Sequence, residues 1–214
     1  MYEAIIFDFD YTLGDSTKGI VLSVNYGLEK LGCEAKSTEE IRKTIGLSLS
    51  NTYRALTGRE DETEAGLFAG YFKEKADEVM VENTELYASA KDVLLKLKDS
   101  ACKVGIVTTK FHYRIDQILS KFNMNDVIDI IVGAEDVKVE KPNPEGLLWA
   151  IEYLEVDKQK VLYVGDSVVD AQTAERAGVD FAGVMSGTTG KEDFEKYKSV
   201  RIAESLYDVY NLLL

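Results

Sequence analysis

The sequence predicts an α/β fold in which a doubly wound, Rossmann-like parallel sheet forms the core and an α-helical cap domain is inserted into it. Three observations predict this class. Short apolar runs of strand length recur along the chain, amphipathic helical patterns separate most of them, and one long interval holds helical patterns only. Strands that alternate with helices are typical of parallel sheets that helices cover.

The predicted strands are short, continuous apolar runs, as expected for strands that are buried on both faces. They are Ala4–Phe7, Lys103–Val107, Asp129–Val132, Val161–Val164 and Phe181–Val184. Helical spacing of apolar residues between them indicates crossover helices, the last of which is expected over Ala171–Ala177 before Gly178. In such a sheet, functional groups lie beyond the carboxyl ends of the strands.

The interval between the first two strands is too long for a crossover and has helical patterns at Thr17–Leu31, Ser48–Leu56 and Glu62–Val81. The segment from Ser37 to Glu40 has the pattern of a capping box that begins a further helix. We therefore expect an α-helical cap at residues 16–81. The Rossmann-like core is then discontinuous, with residues 1–15 and 82–214.

Composition narrows the classes of partner. The net charge of −13 weighs against nucleic acid and anionic membranes, because both require clustered Lys and Arg. Cys33 and Cys102 are isolated, so a disulfide framework is not expected. The first residues lack a basic region, and no stretch approaches the roughly 18 apolar residues of a membrane span. These features predict a cytoplasmic protein.

Two aspartates, Asp8 and Asp10, directly follow the first predicted strand. Side chains alternate along an extended chain, so both carboxylates lie on one side and Phe7 and Phe9 on the other. Carboxylates this close repel unless a cation lies between them. Mg²⁺, bound by oxygen ligands, is the usual ion of phosphoryl chemistry. Taken alone, the pair is equally consistent with an exposed acidic turn.

Three further motifs lie at predicted strand ends. Thr108 follows the second strand and offers its hydroxyl to a phosphate oxygen or to a helix N-terminus. Lys141 precedes a turn with two prolines, where an ordinary surface lysine is the alternative. Asp166 and Asp170 again place two carboxylates beyond a strand, and Gly165 permits a close approach of the backbone.

Taken in order, the segments DFDYT, VTTK, EKPNP and GDSVVDAQTAERAG resemble the motifs of the haloacid dehalogenase superfamily of phosphotransferases. The resemblance covers essentially the whole chain. The residues TLGDS that follow DFDY resemble the entry to the α-helical cap in the phosphoglycolate phosphatase and β-phosphoglucomutase branch. The resemblance implies a Mg²⁺-dependent enzyme that forms an aspartyl-phosphate.

Carried over residue by residue, the resemblance implies that Asp8 attacks phosphorus and becomes the aspartyl-phosphate. Asp10 would act as general acid towards the leaving group and then as general base for water. Asp8 and the backbone carbonyl of Asp10 would both bind Mg²⁺.

The other motif residues would neutralise charge and complete the metal site. Thr108 would donate a hydrogen bond to the phosphoryl oxygens, and Lys141 would neutralise them and orient Asp8. Asp166 would bind Mg²⁺, while Asp170 would either bind it or orient water and Lys141.

Substrate contacts are expected from four more residues: Tyr11, Gly46, Thr109 and Lys110. Position 11 is Tyr where many members of the superfamily have Gly, and its ring would narrow the pocket, stack on the substrate or pack under the cap. Gly46 lies between two cap helices, in a segment that resembles a substrate-facing loop of this branch.

The expected function is hydrolysis of a small-molecule phosphate monoester, with a phosphoglycolate-like substrate favoured by the resemblance. A phosphosugar mutase of the same superfamily is the alternative, because it uses the same core residues with a sugar hydroxyl in place of water. A pyrophosphatase and a 5′-nucleotidase are further alternatives. The expected assembly is a monomer or a homodimer.

Overall fold

A parallel sheet forms the centre of the computed structural model, which describes residues 2–100, 102–198 and 201–212. Numbered along the chain, the strands are β1 (Ala4–Phe7), β2 (Gly14–Asp15), β3 (Glu85–Leu86), β4 (Lys103–Val107), β5 (Ile130–Val132), β6 (Val161–Gly165), β7 (Asp180–Val184) and β8 (Arg201–Ala203). In this part of the chain, six strands make one sheet in the order β5-β4-β1-β6-β7-β8, and each neighbouring pair is parallel. The predicted doubly wound α/β fold is confirmed.

The first strand lies in the middle of this sheet. Ala4 pairs with Lys103 on one side and with Val161 on the other. All residues of β1 and β6 are buried, which explains why these strands are continuous apolar runs rather than alternating ones. Their carboxyl ends therefore meet at one edge of the sheet.

Three short strands were not predicted from the sequence. The three-residue β8 is the outermost strand of the sheet, next to β7. Strands β2 and β3, of two residues each, pair with one another. Such short segments carry no measurable periodicity. The strand predicted from Asp129 begins at Ile130; Asp129 itself pairs with Val104 through its amide, at 2.8 Å from the Val104 carbonyl, and through its carboxylate, at 2.7 Å from the Val104 amide.

The helices of the described residues are α1 (Thr17–Lys30), α2 (Thr38–Arg42), α3 (Leu49–Thr57), α4 (Glu62–Val79), α5 (Ala88–Lys98), α6 (His112–Lys121), α7 (Glu145–Tyr153), α8 (Val168–Ala177), α9 (Lys191–Phe194) and α10 (Leu206–Tyr210). Helices α1 to α8 lie at the predicted helical patterns, whereas the short α9 and α10 were not predicted. The capping box of α2 is confirmed, since the Ser37 hydroxyl accepts from the Glu40 amide and the Glu40 carboxylate accepts from the Ser37 amide. No helix in the described residues is both long enough and apolar enough to cross a membrane.

The chain divides into two compact units. One comprises the described residues of Met1–Asp15 and Leu86–Leu214, and the other is Ser16–Glu85. The second boundary falls at residue 85 rather than at the predicted 81, because α4 ends at Val79 and the chain then runs through a turn into β3.

Each unit has its own apolar core. In the larger unit, core residues come from both the sheet strands and the helices α7 and α8. In the helical unit, α1, α3 and α4 pack around three aromatic rings, with ring centroids 5.5 Å apart for Tyr53 and Phe68 and 6.3 Å apart for Phe68 and Phe72. Phe68 is completely buried at the centre of this cluster.

Replacing Gly27 by Ala is expected to destabilise the helical unit. An added Cβ at Gly27 would lie 2.9 Å from the ring of Phe68, and the surrounding rings leave Phe68 little room to move. We expect Gly27→Ala to lower the free energy of unfolding by about 1–3 kcal/mol, measured by urea denaturation. The control is Gly66→Ala in α4, where an added Cβ meets nothing within 4 Å. Because Ala is the better helix former, the control should gain about 0.5–1 kcal/mol, and equal effects would contradict the prediction.

Candidate active site

The candidate residues lie where three neighbouring strands end. Asp8 follows β1, Thr108 follows β4 and Asp166 follows β6. Because these strands are parallel and adjacent, their carboxyl ends bring the three side chains to the same edge of the sheet. All three residues are buried. Asp8 is therefore not part of an exposed acidic turn.

Lys141 joins this group from the segment before α7. Its Nζ donates to Asp8 Oδ1 at 2.8 Å, to Asp170 Oδ1 at 2.7 Å and to the Tyr163 hydroxyl at 3.2 Å. The side chains of Lys141, Asp8 and Asp170 are at most 5% exposed. Lys141 is therefore not a surface lysine but the bridge between two buried carboxylates.

Asp170 has both carboxylate oxygens engaged. Oδ1 accepts from Lys141 and from the Tyr163 hydroxyl at 3.0 Å, and Oδ2 accepts from the Ser167 hydroxyl at 2.6 Å. Ser167 in turn caps α8, because its hydroxyl accepts from the Asp170 amide. The start of this helix thus fixes the carboxylate that holds Lys141.

The electrostatics reflect burial and the clustering of like charges. Burial raises the pKa of the Asp8 carboxyl against the opposing effect of the Lys141 ammonium. Burial, and then the neighbouring charges of Asp170 and Asp8, raise the pKa of Asp166 well above its usual range. Burial alone would lower the pKa of Lys141, but Asp170 and Asp8 together raise it above its ordinary value.

The group has the donor set of a Mg²⁺ site. Asp8, Asp166 and Asp170 each offer a carboxylate oxygen, and these atoms lie within 4.8 Å of one another. The donors are anionic oxygens, the ligand type that Mg²⁺ prefers. A buried cluster with more carboxylates than ammonium groups also calls for further positive charge, so the residues present fit a divalent cation.

Asp10 lies beside this cluster and pairs with a different lysine. Its Oδ2 lies 2.9 Å from Lys110 Nζ, and these two side chains are 10% and 5% exposed. Its Oδ1 is buried and has no hydrogen-bond partner in the described part of the chain. A buried carboxylate with one anchored and one unsatisfied oxygen can accept a hydrogen bond from a bound group through the second oxygen.

The remaining predicted residues occupy different surroundings. The Thr108 hydroxyl accepts from the Lys110 amide at 3.2 Å, and the next helix, α6, begins only at His112, so Thr108 does not cap it. Thr109 is partly buried after the same strand. Gly46 lies in the helical unit, in a turn with φ 93°, and its substrate contact stays a prediction.

Tyr11 has a backbone conformation that favours glycine. Its φ is 59°, in the left-handed region that side chains with a Cβ disfavour. The Tyr11 side chain is buried, and its carbonyl oxygen accepts a hydrogen bond from the Ser186 hydroxyl. The ring is thus enclosed in the structure rather than displayed on the surface.

Sequence reasoning missed three residues that hold the site together. Tyr163 lies inside an apolar strand, where an aromatic residue indicates packing, and its hydroxyl role becomes visible only when Lys141 is brought close. Ser167 lies between Asp166 and Asp170 in the sequence, but the contact of its hydroxyl with the Asp170 carboxylate was not predicted. A Cβ added at Gly187 would lie 1.8 Å from Asp166 Oδ2, so only glycine allows this approach.

The fold and the site define an α/β protein with an acidic, lysine-bridged centre at the carboxyl ends of the central strands. The sequence pattern of the haloacid dehalogenase-like hydrolases matches residues 5–184. The chain therefore belongs to the haloacid dehalogenase-like hydrolase family.

Individual relatives agree with this assignment. A solved structure of a haloacid dehalogenase-like hydrolase from Bacteroides fragilis is 41% identical to this chain, with a TM-score of 0.94. The match covers 98% of this chain and 100% of the other. The pyrophosphatase PpaX of Bacillus velezensis is 27% identical over 98% of this chain and 95% of its own length. The pyrophosphatase PpaX of Bacillus pumilus is 29% identical over 96% and 93%.

Removing the Tyr163 hydroxyl is expected to destabilise the protein. Tyr163→Phe deprives the Asp170 carboxylate and the Val107 carbonyl of a buried donor. We expect a loss of about 1–3 kcal/mol in the free energy of unfolding, measured by denaturant titration. The control is Tyr207→Phe, whose hydroxyl contacts Asp92 at an exposed position and whose loss should change stability by less than about 0.5 kcal/mol. Equal losses of stability in the two variants would show that the buried Tyr163 hydroxyl stabilises the protein no more than the exposed Tyr207 hydroxyl does.

Proposed function

We propose that this chain is a Mg²⁺-dependent phosphatase that hydrolyses a small-molecule phosphate monoester through an aspartyl-phosphate on Asp8. The observation that carries the proposal is the Lys141 ammonium held between Asp8 and Asp170 at the end of the central strands. Phosphoryl transfer depends mainly on positioning and on neutralising the charge of the phosphoryl oxygens. A buried lysine bonded to a buried carboxylate supports both requirements.

The nucleophile is assigned to Asp8 because of where its carboxylate is fixed. Lys141 orients the Asp8 carboxylate through Oδ1 and supplies positive charge beside the incoming phosphate. Thr108, on the neighbouring strand end, offers its hydroxyl to the phosphoryl oxygens. Asp10 delivers a proton to the leaving group and later takes one from water, through its unpartnered Oδ1.

The metal would be held by Asp8, by Asp166 and by the backbone carbonyl of Asp10. A bound Mg²⁺ supplies charge neutralisation for the phosphoryl group. We assign Asp170 to holding Lys141 rather than to the metal, because Lys141, Tyr163 and Ser167 already engage both of its oxygens.

The substrate has two candidates that different observations favour. The motif resemblance favours a phosphoglycolate-like monoester, whereas pyrophosphate is named by the relatives that are 27% and 29% identical. Phosphate release from 2-phosphoglycolate, pyrophosphate, glucose 1-phosphate and a 5′-nucleotide would rank them. Isomerisation of the sugar phosphate without phosphate release would instead identify a phosphosugar mutase.

We further propose that residues 16–85 act as the specificity-determining cap, with Gly46 and Tyr11 among the substrate contacts. A small anionic substrate held by Lys141 and the metal is compatible with a net charge of −13, whereas nucleic acid and anionic membranes are not expected partners. A cytoplasmic monomer or homodimer remains our proposal, and gel filtration with light scattering tests the assembly.

Replacing the nucleophile is the direct test of the mechanism. Asp8→Asn should lower kcat for p-nitrophenyl phosphate by at least about 10⁴-fold, the scale of losing a covalent nucleophile. Chelating Mg²⁺ with EDTA should abolish turnover, and adding Mg²⁺ back should restore it. The control, Asp99→Asn, removes an exposed carboxyl after α5 and should keep full activity. Turnover that survives in Asp8→Asn or without a divalent ion would refute the mechanism.

Gly187 provides a second test that leaves every site carboxylate in place. In Gly187→Ala, the added methyl would overlap Asp166 Oδ2 and displace it. We expect the Mg²⁺ concentration for half-maximal activity to rise by at least about tenfold, the scale of disturbing a metal's supporting residues. At Gly190, an added Cβ would lie 3.8 Å from the nearest neighbour, so Gly190→Ala should leave the Mg²⁺ dependence unchanged. An unchanged dependence in Gly187→Ala would exclude Asp166 as a ligand.

A further inference from the structure

The ion pair between Lys110 and Asp10 is a second buried lysine–carboxylate contact, separate from the one around Lys141. Lys110 follows β4 and Asp10 follows β1, and these strands are neighbours in the sheet. The Nζ lies 2.9 Å from Asp10 Oδ2, and both side chains are at most 10% exposed. Two buried charges at this distance with little access to water fix each other's position.

The backbone holds Lys110 in place from both sides. The Lys110 amide donates to the Thr108 hydroxyl at 3.2 Å, and the Lys110 carbonyl accepts from the Ala134 amide at 3.1 Å. The turn after β4 is therefore tied both to itself and to the segment after β5. The backbone of Lys110 is thus fixed at the point from which its side chain reaches Asp10.

The contact distinguishes the two oxygens of Asp10. Oδ2 accepts from Lys110, whereas Oδ1 is buried without a hydrogen-bond partner among the described residues. An unsatisfied buried oxygen is costly, and such atoms occur where a ligand completes the hydrogen bond. The contact of Oδ2 with Lys110 restricts rotation of the carboxylate about its χ2 angle, which leaves Oδ1 as the oxygen available to a bound group.

We propose that Lys110 is a positioning residue that holds Asp10 for proton transfer through Oδ1; this rests on the proposed phosphatase function. It replaces the expectation of a direct substrate contact. Lys141 serves the nucleophile and Lys110 serves the acid–base group, so the two carboxylates that follow β1 each have their own lysine.

The proton moves through one oxygen in both half-reactions. In the first, the bond from Asp8 to phosphorus forms, the bond from phosphorus to the leaving oxygen breaks, and Asp10 Oδ1 gives its proton to that oxygen. In the second, water attacks phosphorus, Asp10 Oδ1 takes its proton, and the bond to Asp8 breaks. One ester and one water give one alcohol and one phosphate, and both aspartates return to their starting states. Because this scheme moves the proton only through Oδ1, the contact between Oδ2 and Lys110 is kept in both steps.

The test compares Lys110→Met for two substrates that differ in their need for protonation. Phenolate is a poorer leaving group than p-nitrophenolate, so phenyl phosphate depends more on the acid. We expect kcat/KM to fall about 10²-fold or more for phenyl phosphate and less than about tenfold for p-nitrophenyl phosphate. The ratio of the two values in one sample does not depend on the folded fraction, so a partly unfolded variant still gives an answer.

Slower attack by water gives an independent readout. With p-nitrophenyl phosphate, Lys110→Met should release a rapid burst of p-nitrophenolate before a slow steady state, because the aspartyl-phosphate accumulates. Lys110→Arg keeps the charge and should restore at least part of the phenyl phosphate activity. Lys158→Met, which removes an exposed lysine before β6, should leave the substrate ratio unchanged.

Three outcomes decide between the proposals. Equal losses of kcat/KM for both substrates with a raised KM would show that Lys110 binds phosphate directly, which overturns this inference and leaves the phosphatase function standing. If Asp10→Asn itself shows no dependence on the leaving group, the acid–base role of Asp10 fails, and this inference fails with it. A selective loss in both Asp10→Asn and Lys110→Met supports the inference.

Discussion

The structure depends on one ammonium group placed among buried carboxylates. Lys141 binds Asp8 and Asp170, and the charge of each partner is tolerable in the core only because the others are present. The Tyr163 hydroxyl shares Asp170 Oδ1 with Lys141, and the Ser167 hydroxyl donates to Oδ2. The strands, the start of α8 and the segment before α7 must all be in register for this arrangement to exist. The network therefore forms only when these segments of the fold are correctly placed, and it is also part of the site.

The buried charges of the site destabilise the folded protein, and the apolar sheet offsets this cost. Burial raises the pKa values of Asp8 and Asp166, which shows that their charged forms are disfavoured where they lie. Tyr11 adds a left-handed backbone at the same strand end. Strain and unfavourable charge gather where the completely buried β1 and β6 can hold them, as is common for functional sites.

Local patterns were sufficient for the longer strands and helices, but not for β2, β3, β8, α9 and α10. Buried parallel strands are continuous apolar runs, so β1 and β4 were predicted to the residue. Contacts between distant segments were not predictable: nothing near Lys110 in the sequence indicates that it meets Asp10. Tyr163 was hidden for a related reason, because a hydroxyl inside an apolar strand acquires a partner only after folding.

The central position of β1 has a consequence for how the protein is made. The strand that carries Asp8 is synthesised before both of its neighbours, β4 and β6, and Ala4 pairs with Val161 only after β6 has been synthesised. Until β4 is available, this apolar segment lacks both of its partner strands, and until β6 is available it lacks one of them. Contacts this distant in sequence form slowly. The helical unit, by contrast, has its own core in residues 16–85 and is complete much earlier, so the carboxyl ends of the central strands are among the last parts of the protein to form.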